Sequence, residues 1–331
     1  MKNIRKIGIT TTIPVETVFA AGRIPVDINN RFVAGGLSPE RYIERAEREG
    51  FPRNLCAWIK GIYGVVMDSD DIDAVIAVTH GDCSNTQALM EILLHRGKKV
   101  IPFAFPNGSD AGAMKSEIEK LADALGATWE DTLAVHEKMR PARNHLAEID
   151  RLTWETGVVT GGENYEWLIS SSDFEGDIDS FTSRAAIFAG DAMQREAAAG
   201  GIRVGLLGIP PVFSDMFSFL ESRGVRVVFN EIPRQFSMPA HGEGLVEQYV
   251  RYTYPRDIFH RLHDIREEVS RRGVDGVIHY VQSFCFRQIQ DVILRDSIDM
   301  PVLTFEGDRP GPMDARSRLR LETFVEMLKM R

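Results

Sequence analysis

The sequence lacks long hydrophobic runs and an excess of positive charge. No stretch reaches the roughly 18 uninterrupted apolar residues that a membrane-spanning helix needs, so we expect no membrane segment. Pro14 and Glu16 interrupt the N-terminal region before the apolar core of a signal peptide could form, which favours a soluble cytoplasmic protein. The 39 basic and 48 acidic residues give a net charge of −9. Because contact with nucleic-acid phosphates needs a basic surface, we expect no nucleic-acid partner.

Phosphate-binding motifs and a disulfide framework are missing as well. Neither the P-loop pattern nor the GxGxxG dinucleotide pattern occurs, so we expect this chain to bind no nucleotide. Cysteine is scarce, with Cys56, Cys83 and Cys285 alone among 331 residues. Their odd number and wide separation argue against a disulfide framework and favour a reducing compartment.

The sequence does contain the alternation of short β-branched runs and amphipathic segments that is typical of a parallel α/β architecture. It predicts strands at Ile7–Thr10, Ala74–Val78 and Lys99–Phe105, and helices at Val15–Ala21, Pro52–Tyr63 and Ser84–Arg96. Helical periodicity dominates from about Asp110 to Ala199. The α/β pattern then resumes, with predicted strands at Arg203–Leu207, Val225–Phe229, Gly276–Tyr280 and Pro301–Phe305 and a final helix at Asp314–Lys329.

The two α/β segments repeat the same order of features. The apolar run that begins at Asp73 starts ten residues before Cys83, and the run that begins at Asp275 starts ten residues before Cys285. Such recurrence indicates a duplicated domain. We therefore predict two related Rossmann-like α/β domains with parallel sheets, at residues 1–109 and 201–331, and a helical segment at residues 110–200. Ligands of open α/β sheets bind beyond the carboxyl ends of the strands, which is where Cys83 and Cys285 fall.

Each cysteine lies at or near the start of a predicted helix. The positive end of a helix dipole lowers the pKa of a thiol, and the thiolate is the form that binds iron–sulfur clusters, zinc or copper(I). The spacings of 27 and 202 residues match no ferredoxin or zinc-ribbon pattern, so folding would have to assemble a shared site. The alternative is that the three residues are small buried hydrophobic side chains that bind nothing.

Three cysteine-bearing segments resemble motifs of the 2-hydroxyacyl-CoA dehydratase/benzoyl-CoA reductase family. They are FPRNLCAWIKGIYG (51–64), THGDCSNT (79–86) and HYVQSFCFRQI (279–289). Further segments resemble that family in the same order along nearly the whole chain: TTIPVETVFAAGRIPVDI (11–28), GENYEWL (162–168), SSDFEGD (171–177), LTFEGDRPG (303–311) and SRLRLETFVEML (317–328).

The resemblance implies that Cys56, Cys83 and Cys285 hold a [4Fe–4S] cluster in the cleft between the two domains, with one iron free of cysteine. Some relatives carry a double-cubane [8Fe–9S] cluster instead. It also implies an ATP-dependent iron–sulfur activator protein as electron donor, and an oxygen-sensitive, anaerobic homodimer or heterodimer with a homologous subunit. The implied reaction is the radical dehydration of an acyl-CoA by a lyase, or its reduction by a low-potential reductase.

Several polar residues near these motifs are candidates for roles in the site. Glu16 and His80 are candidate catalytic proton carriers, although helix capping or an ordinary polar contact is the alternative for each. Asp82 would cap a helix or tune the cluster. Arg53 and Lys60 would bracket Cys56 on one helix and attract CoA phosphate, or lie on a solvated face. Other functions stay open: a non-catalytic electron relay, a double-cubane-type cluster protein that reduces a different small molecule, and a metal-free α/β protein that binds a small molecule.

Overall fold

The computed structural model describes residues 5–34, 38–198 and 200–331. Its first sheet is parallel and has the strand order β2-β1-β3-β4. These strands are β1 (Lys6–Ile9), β2 (Ile24–Asp27), β3 (Ile72–His80) and β4 (Val100–Ala104). The helices of this part are α1 (Glu16–Ala20), α2 (Ile28–Ala34), α3 (Pro39–Arg48), α4 (Ala57–Asp68) and α5 (Ser84–His95).

Four helices follow the first sheet in the chain. They are α6 (Ala111–Leu125), α7 (Trp129–Trp154), α8 (Gly161–Ser170) and α9 (Ile178–Ala192). Local chemistry fixes their ends: the Thr160 side chain caps α8 in a reciprocal box with Glu163, and Gly126 ends α6 in a left-handed conformation. Apolar residues of α7, α8 and α9 form a core together with Val15 and Phe19 at α1, whereas α6 packs against the first sheet.

The second sheet repeats the topology of the first. It is parallel, with the strand order β6-β5-β7-β8, and its strands are β5 (Ile202–Gly208), β6 (Val225–Asn230), β7 (Gly276–Val281) and β8 (Val302–Glu306). Its helices are α10 (Met216–Glu221), α11 (Glu231–Phe236), α12 (Leu245–Arg251), α13 (Ile258–Arg271), α14 (Phe286–Ser297) and α15 (Ala315–Lys329). The predicted α/β class with two Rossmann-like domains is thus confirmed.

The two halves share a core as well as a topology. Leu245 and Tyr249 of α12, which belongs to the second half, join the apolar cluster that covers one face of the first sheet. At the other face, Trp58 of α4 also touches the core of the second sheet. Each half therefore contributes side chains to the core of the other. These contacts hold the two halves together near the carboxyl ends of the third strands, β3 and β7.

Two local predictions were wrong. The helix predicted at Pro52–Tyr63 begins at Ala57, so Arg53 precedes it and does not share a helix with Lys60. The prediction also missed β2, an edge strand of four residues that includes Pro25. Sheets tolerate proline at an edge, because an edge strand leaves some N–H positions unpaired, but proline hides such a strand from pattern analysis.

Candidate metal centre

Three helices of the chain begin at a cysteine. Cys56, Cys83 and Cys285 are the N-cap residues of α4, α5 and α14. Cys83 and Cys285 follow β3 and β7, the third strands of the two sheets, at their carboxyl ends. The Cys83 Sγ accepts a hydrogen bond from the Asn85 N–H at 3.4 Å. All three side chains therefore lie where helix N–H groups and dipoles favour negative charge.

Gln282 joins two of these helix starts. Its side-chain Oε1 accepts a hydrogen bond from the N–H of Ala57, the first residue of α4, at 2.9 Å. Its backbone carbonyl accepts one from the Cys285 N–H at 3.0 Å. The residue is fully buried. One side chain thus holds the segments that carry Cys56 and Cys285 together across the boundary between the two halves.

The three cysteines line one cavity of about 780 Å³, a volume that includes its open mouth. Its remaining wall is part aromatic and part polar. The aromatic lining residues are Trp58, Phe236, Tyr254, Phe284 and Phe286, and the polar ones include Thr10, Thr11, Asp27, Asn29, Asn30, Asp82 and Arg287.

Burial controls the protonation of the thiols. Removal from water, with a smaller contribution from the charges of the other two cysteines, raises the pKa of Cys56 to about 12. Burial raises the pKa of Cys83 to about 11, with Asp82 adding to the effect. The expectation that helix N-termini would lower these pKa values was wrong, because desolvation outweighs the helix dipole. At neutral pH the metal-free protein therefore holds Cys56 and Cys83 as thiols, and metal binding displaces their protons.

The raised pKa of Cys56 should slow its alkylation. In the metal-free native protein at about pH 8, we expect Cys56 to react with iodoacetamide at least about 100-fold more slowly than a free cysteine, because so little of it is thiolate. Its rate should rise about tenfold per pH unit. Peptide mass spectrometry measures the modified fraction, and the urea-unfolded chain is the control. Alkylation of native Cys56 as fast as in the unfolded chain would contradict the raised pKa.

The donor set is of the kind that iron–sulfur clusters use. Within the described ranges, no group of three His, Cys, Asp or Glu side chains is placed to hold a single metal ion. Three cysteines line one cavity, and thiolate is the usual protein ligand of iron–sulfur clusters. These residues, Cys56, Cys83 and Cys285, would be the ligands of such a cluster.

Residues 10–328 match the family model of the 2-hydroxyglutaryl-CoA dehydratase D-component. The chain belongs to this dehydratase family. The match begins just after β1 and covers the other strands of both sheets and the helices between them. The family is known for binding an iron–sulfur cluster and for working with an activator partner. No curated protein matches the chain significantly. Along the part that the structure describes, no helix is both long and apolar enough to cross a bilayer.

The dehydratase-family cavity contains one buried cation beside its thiols. The Arg287 side chain is buried, and its guanidinium lies 4.9 Å from the centroid of the Tyr254 ring. Tyr254 in turn donates a hydrogen bond to Asp82 Oδ1 at 2.7 Å, and the Thr86 hydroxyl donates to Asp82 Oδ2 at 3.1 Å. Burial raises the pKa of Asp82. Asp82 therefore does not cap α5, a role that Cys83 fills, but joins the cavity wall to a residue of the second half.

Glu16 lies in a buried ion pair and is not among the residues that line the dehydratase cavity. Its carboxylate accepts hydrogen bonds from Arg143 Nη2 at 2.7 Å and from the Tyr249 hydroxyl at 2.7 Å. Burial alone would raise the pKa of Glu16, but Arg143 and His136 hold it down to about 2. A carboxylate with so low a pKa does not take up a proton near neutral pH, as a general base must. The catalytic role of Glu16 stays a prediction, and its position in the structure does not favour it.

Three other candidates, His80, Arg53 and Lys60, are also not among the residues that line the cavity. His80 is exposed, with its Nε2 2.7 Å from Asn107 Oδ1. Lys60 is buried and bonds Glu47 at 2.8 Å and the carbonyl of Arg53 at 2.9 Å, so it stabilises the entry to α4. The sequence analysis did not identify Asp27 as a residue of the cavity wall. Its position at the carboxyl end of a parallel strand would have indicated this, but β2 itself was not predicted.

Proposed function

We propose that the chain is the iron–sulfur subunit of a 2-hydroxyacyl-CoA dehydratase-type enzyme, in which Cys56, Cys83 and Cys285 hold a [4Fe–4S] cluster. One observation carries the proposal: three cysteines, distant in sequence, begin three helices around one cavity. Because the chain has three cysteines in total, they leave one corner of such a cluster without a cysteine ligand.

The cluster, when bound, would supply a low-potential electron that activates an acyl-CoA-like substrate toward loss of its hydroxyl group. The residues around it would prepare the site for that chemistry. Aromatic rings of Trp58, Phe284 and Phe286 border the cavity and limit the access of water. Arg287 places a buried positive charge beside the thiols, which favours the thiolate form and attracts an anionic or carbonyl oxygen.

The proposal includes two protein partners. An ATP-dependent iron–sulfur activator would deliver the electron, since the chain contains neither nucleotide-binding motif. A second copy of the chain, or a homologous subunit, would complete a dimer, which is the commonest form of assembly. Sedimentation of the anaerobic protein at micromolar concentration should give a dimer, and a monomer with its iron retained would contradict this part of the proposal.

Anaerobic purification tests the cluster directly. We expect a brown protein with about four iron atoms and four acid-labile sulfides per chain. A double-cubane cluster would give about twice the iron, and a colourless protein without iron would leave the metal-free binding protein as the function. Air exposure of the same sample is the control, because an oxygen-sensitive cluster should lose its colour and its iron.

Electron accounting separates dehydration from reduction. With the activator, ATP and a 2-hydroxyacyl-CoA, we expect an enoyl-CoA product that forms in large excess over the electrons consumed, because dehydration changes no net oxidation state. A reductase would consume two electrons for each product formed. No product with any acyl-CoA, from a protein that still carries its cluster, would favour the electron relay.

A further inference from the structure

Asp27 is a buried carboxyl group on the wall of the cysteine-lined cavity. It ends β2, is 2% exposed and lines the same cavity as the three cysteines. Its Oδ1 accepts hydrogen bonds from the backbone N–H and from the side-chain Nδ2 of Asn29, both at 2.9 Å. The side chain is therefore held in one orientation by the start of α2. Because it borders an open cavity, it can exchange a proton with whatever the cavity holds.

A second buried carboxyl group, Asp173, contacts Asp27. Its Oδ2 accepts a hydrogen bond from the Asp27 N–H at 2.6 Å, and its Oδ1 accepts one from the Glu175 N–H at 2.9 Å. The turn that carries it holds Phe174 and Glu175 at φ +51°, a left-handed conformation that is costly for residues other than glycine. The left-handed backbone of this turn places Asp173 against the end of β2.

Within the described part of the chain, no cation is among the groups that shift the pKa values of Asp27 and Asp173. The charged groups on the elements packed against β2 pair elsewhere: Lys6 and Arg31 with Asp71, Glu16 with Arg143, and Glu175 with Arg184. Arg23, at the other end of β2, bonds the Leu125 carbonyl, and Arg287 lies on the same cavity wall beside Asp82. The partners of Asp27 are neutral, namely Asn29, Asn30 and Ser172, and Tyr165 lies near enough to feel its charge. Two neighbouring carboxylates without a cation repel each other, so one proton between them is favoured.

The direction of both pKa shifts agrees with this arrangement. Burial raises the pKa of Asp27 above its usual value. Burial also raises the pKa of Asp173 to about 7, and the charge of Asp27 adds to the rise. A carboxyl pair of this kind gains or loses one proton near neutral pH, which is the range in which acid–base catalysis is most effective.

We propose that Asp27 and Asp173 share one proton and that Asp27 exchanges it with the substrate in the cysteine-lined cavity. Asp173 is then a positioning residue, which acts through Asp27. The inference rests on the proposed dehydratase function for its substrate, a 2-hydroxyacyl compound. It identifies Asp27 as the residue that gives a proton to the substrate and takes one from it in that reaction.

The proton balance of a dehydration suits such a pair. When the C–O bond breaks, its electron pair leaves with the hydroxyl oxygen, and the proton of Asp27 converts this leaving group into water. The substrate also loses one proton from the carbon next to the one that bore the hydroxyl, and the carboxylate of Asp27 takes it up. The pair ends the cycle with the single proton with which it began, so no further acid or base is required.

Infrared titration of the metal-free protein tests the pair without any turnover. We expect the carbonyl stretch of a protonated carboxyl group to disappear with a midpoint near pH 7 in the wild type and at a lower pH in Asp27→Asn, where Asp173 stays buried but no longer faces the charge of Asp27. Asparagine retains the oxygen that Asn29 bonds, so this variant should fold, which circular dichroism checks. Asp177→Asn is the matched control, because the exposed Asp177 caps α9 and asparagine caps equally well.

A second variant tests the coupling. Asp173→Asn removes the neighbouring charge, so the remaining Asp27 carboxyl should lose its proton at a clearly lower pH than the wild-type pair. A midpoint that neither Asp27→Asn nor Asp173→Asn lowers would overturn the shared proton. A wild type with no protonated carboxyl group above about pH 5 would overturn it as well.

Kinetics of the complete enzyme separate this inference from the proposed function. Asp27→Asn should lower kcat by about 100-fold or more, and leave the iron content unchanged. If the titration behaves as expected but no acyl-CoA reacts, the dehydratase function fails and the proton pair stands. If the wild type is an active dehydratase and Asp27→Asn retains full kcat across the pH range, the role of Asp27 is wrong and the function stands.

Discussion

Replacing any one of Cys56, Cys83 and Cys285 with alanine is expected to remove nearly all of the bound iron. Each variant keeps two of three thiols, and the loss of a ligand should weaken binding by more than about 100-fold, since loss of an outer partner already costs up to that much. The three effects should be equal because the three side chains line one cavity. Iron and sulfide assays after anaerobic reconstitution measure the result.

Ser84→Ala is the matched control for these variants. Ser84 follows Cys83 as the first residue of α5 and is exposed, so its replacement should leave the iron content at the wild-type level. The informative exception would be Cys56→Ala with full iron while the other two variants lose it. That outcome would mean that two thiols and another ligand hold the metal, and the shared site as proposed would be wrong.

Arg272→Met is expected to destabilise the fold by about 3–5 kcal/mol, the usual effect of removing one partner from a buried ion network. Arg272 is fully buried, and its guanidinium bonds Asp150 of α7 at 2.9 Å, Glu268 at 2.6 Å and the Val228 carbonyl at 2.8 Å. Its removal would leave two carboxylates without their shared cation. Urea unfolding followed by tryptophan fluorescence measures the change in the free energy of unfolding.

An exposed arginine of α7 provides the comparison. Arg151 bonds Glu148 and Glu155 on one helix face, and is 43% exposed. Arg151→Met should therefore cost less than about 1 kcal/mol, because solvent screens such pairs. Equal effects of the two substitutions would show that burial does not determine the contribution of the Arg272 network.

The fold was predictable where the pattern repeats. The spacing from Asp73 to Cys83 recurs from Asp275 to Cys285, and both cysteines do follow the third strand of a parallel sheet. The strand order itself, identical in the two sheets, agrees with the duplication that the spacing indicates. The repeated spacing of strands and cysteines along the chain is visible in the sequence, so the duplicated topology can be predicted from the sequence alone.

Contacts between distant residues were not predictable in this way. Glu16 is a candidate proton carrier from its motif, but its placement depends on Arg143, which lies 127 positions away. Asp27 and Asp173 are 146 positions apart, and no local pattern relates them. The raised pKa values of Cys56 and Cys83 likewise depend on burial by the whole fold, which outweighs the local helix dipole.

The duplication also shows that the two halves contribute unequally to the cavity. Helix α4, which Cys56 caps, directly precedes the third strand of the first sheet, and α13 precedes the third strand of the second. Asp257 caps α13, where it accepts hydrogen bonds from the N–H groups of Phe259 and His260. The first half therefore supplies two of the thiols that line the cavity, Cys56 and Cys83, and the second half supplies Cys285 alone. Two copies of one topology thus form an asymmetric site, so its two sides present different groups to whatever molecule enters.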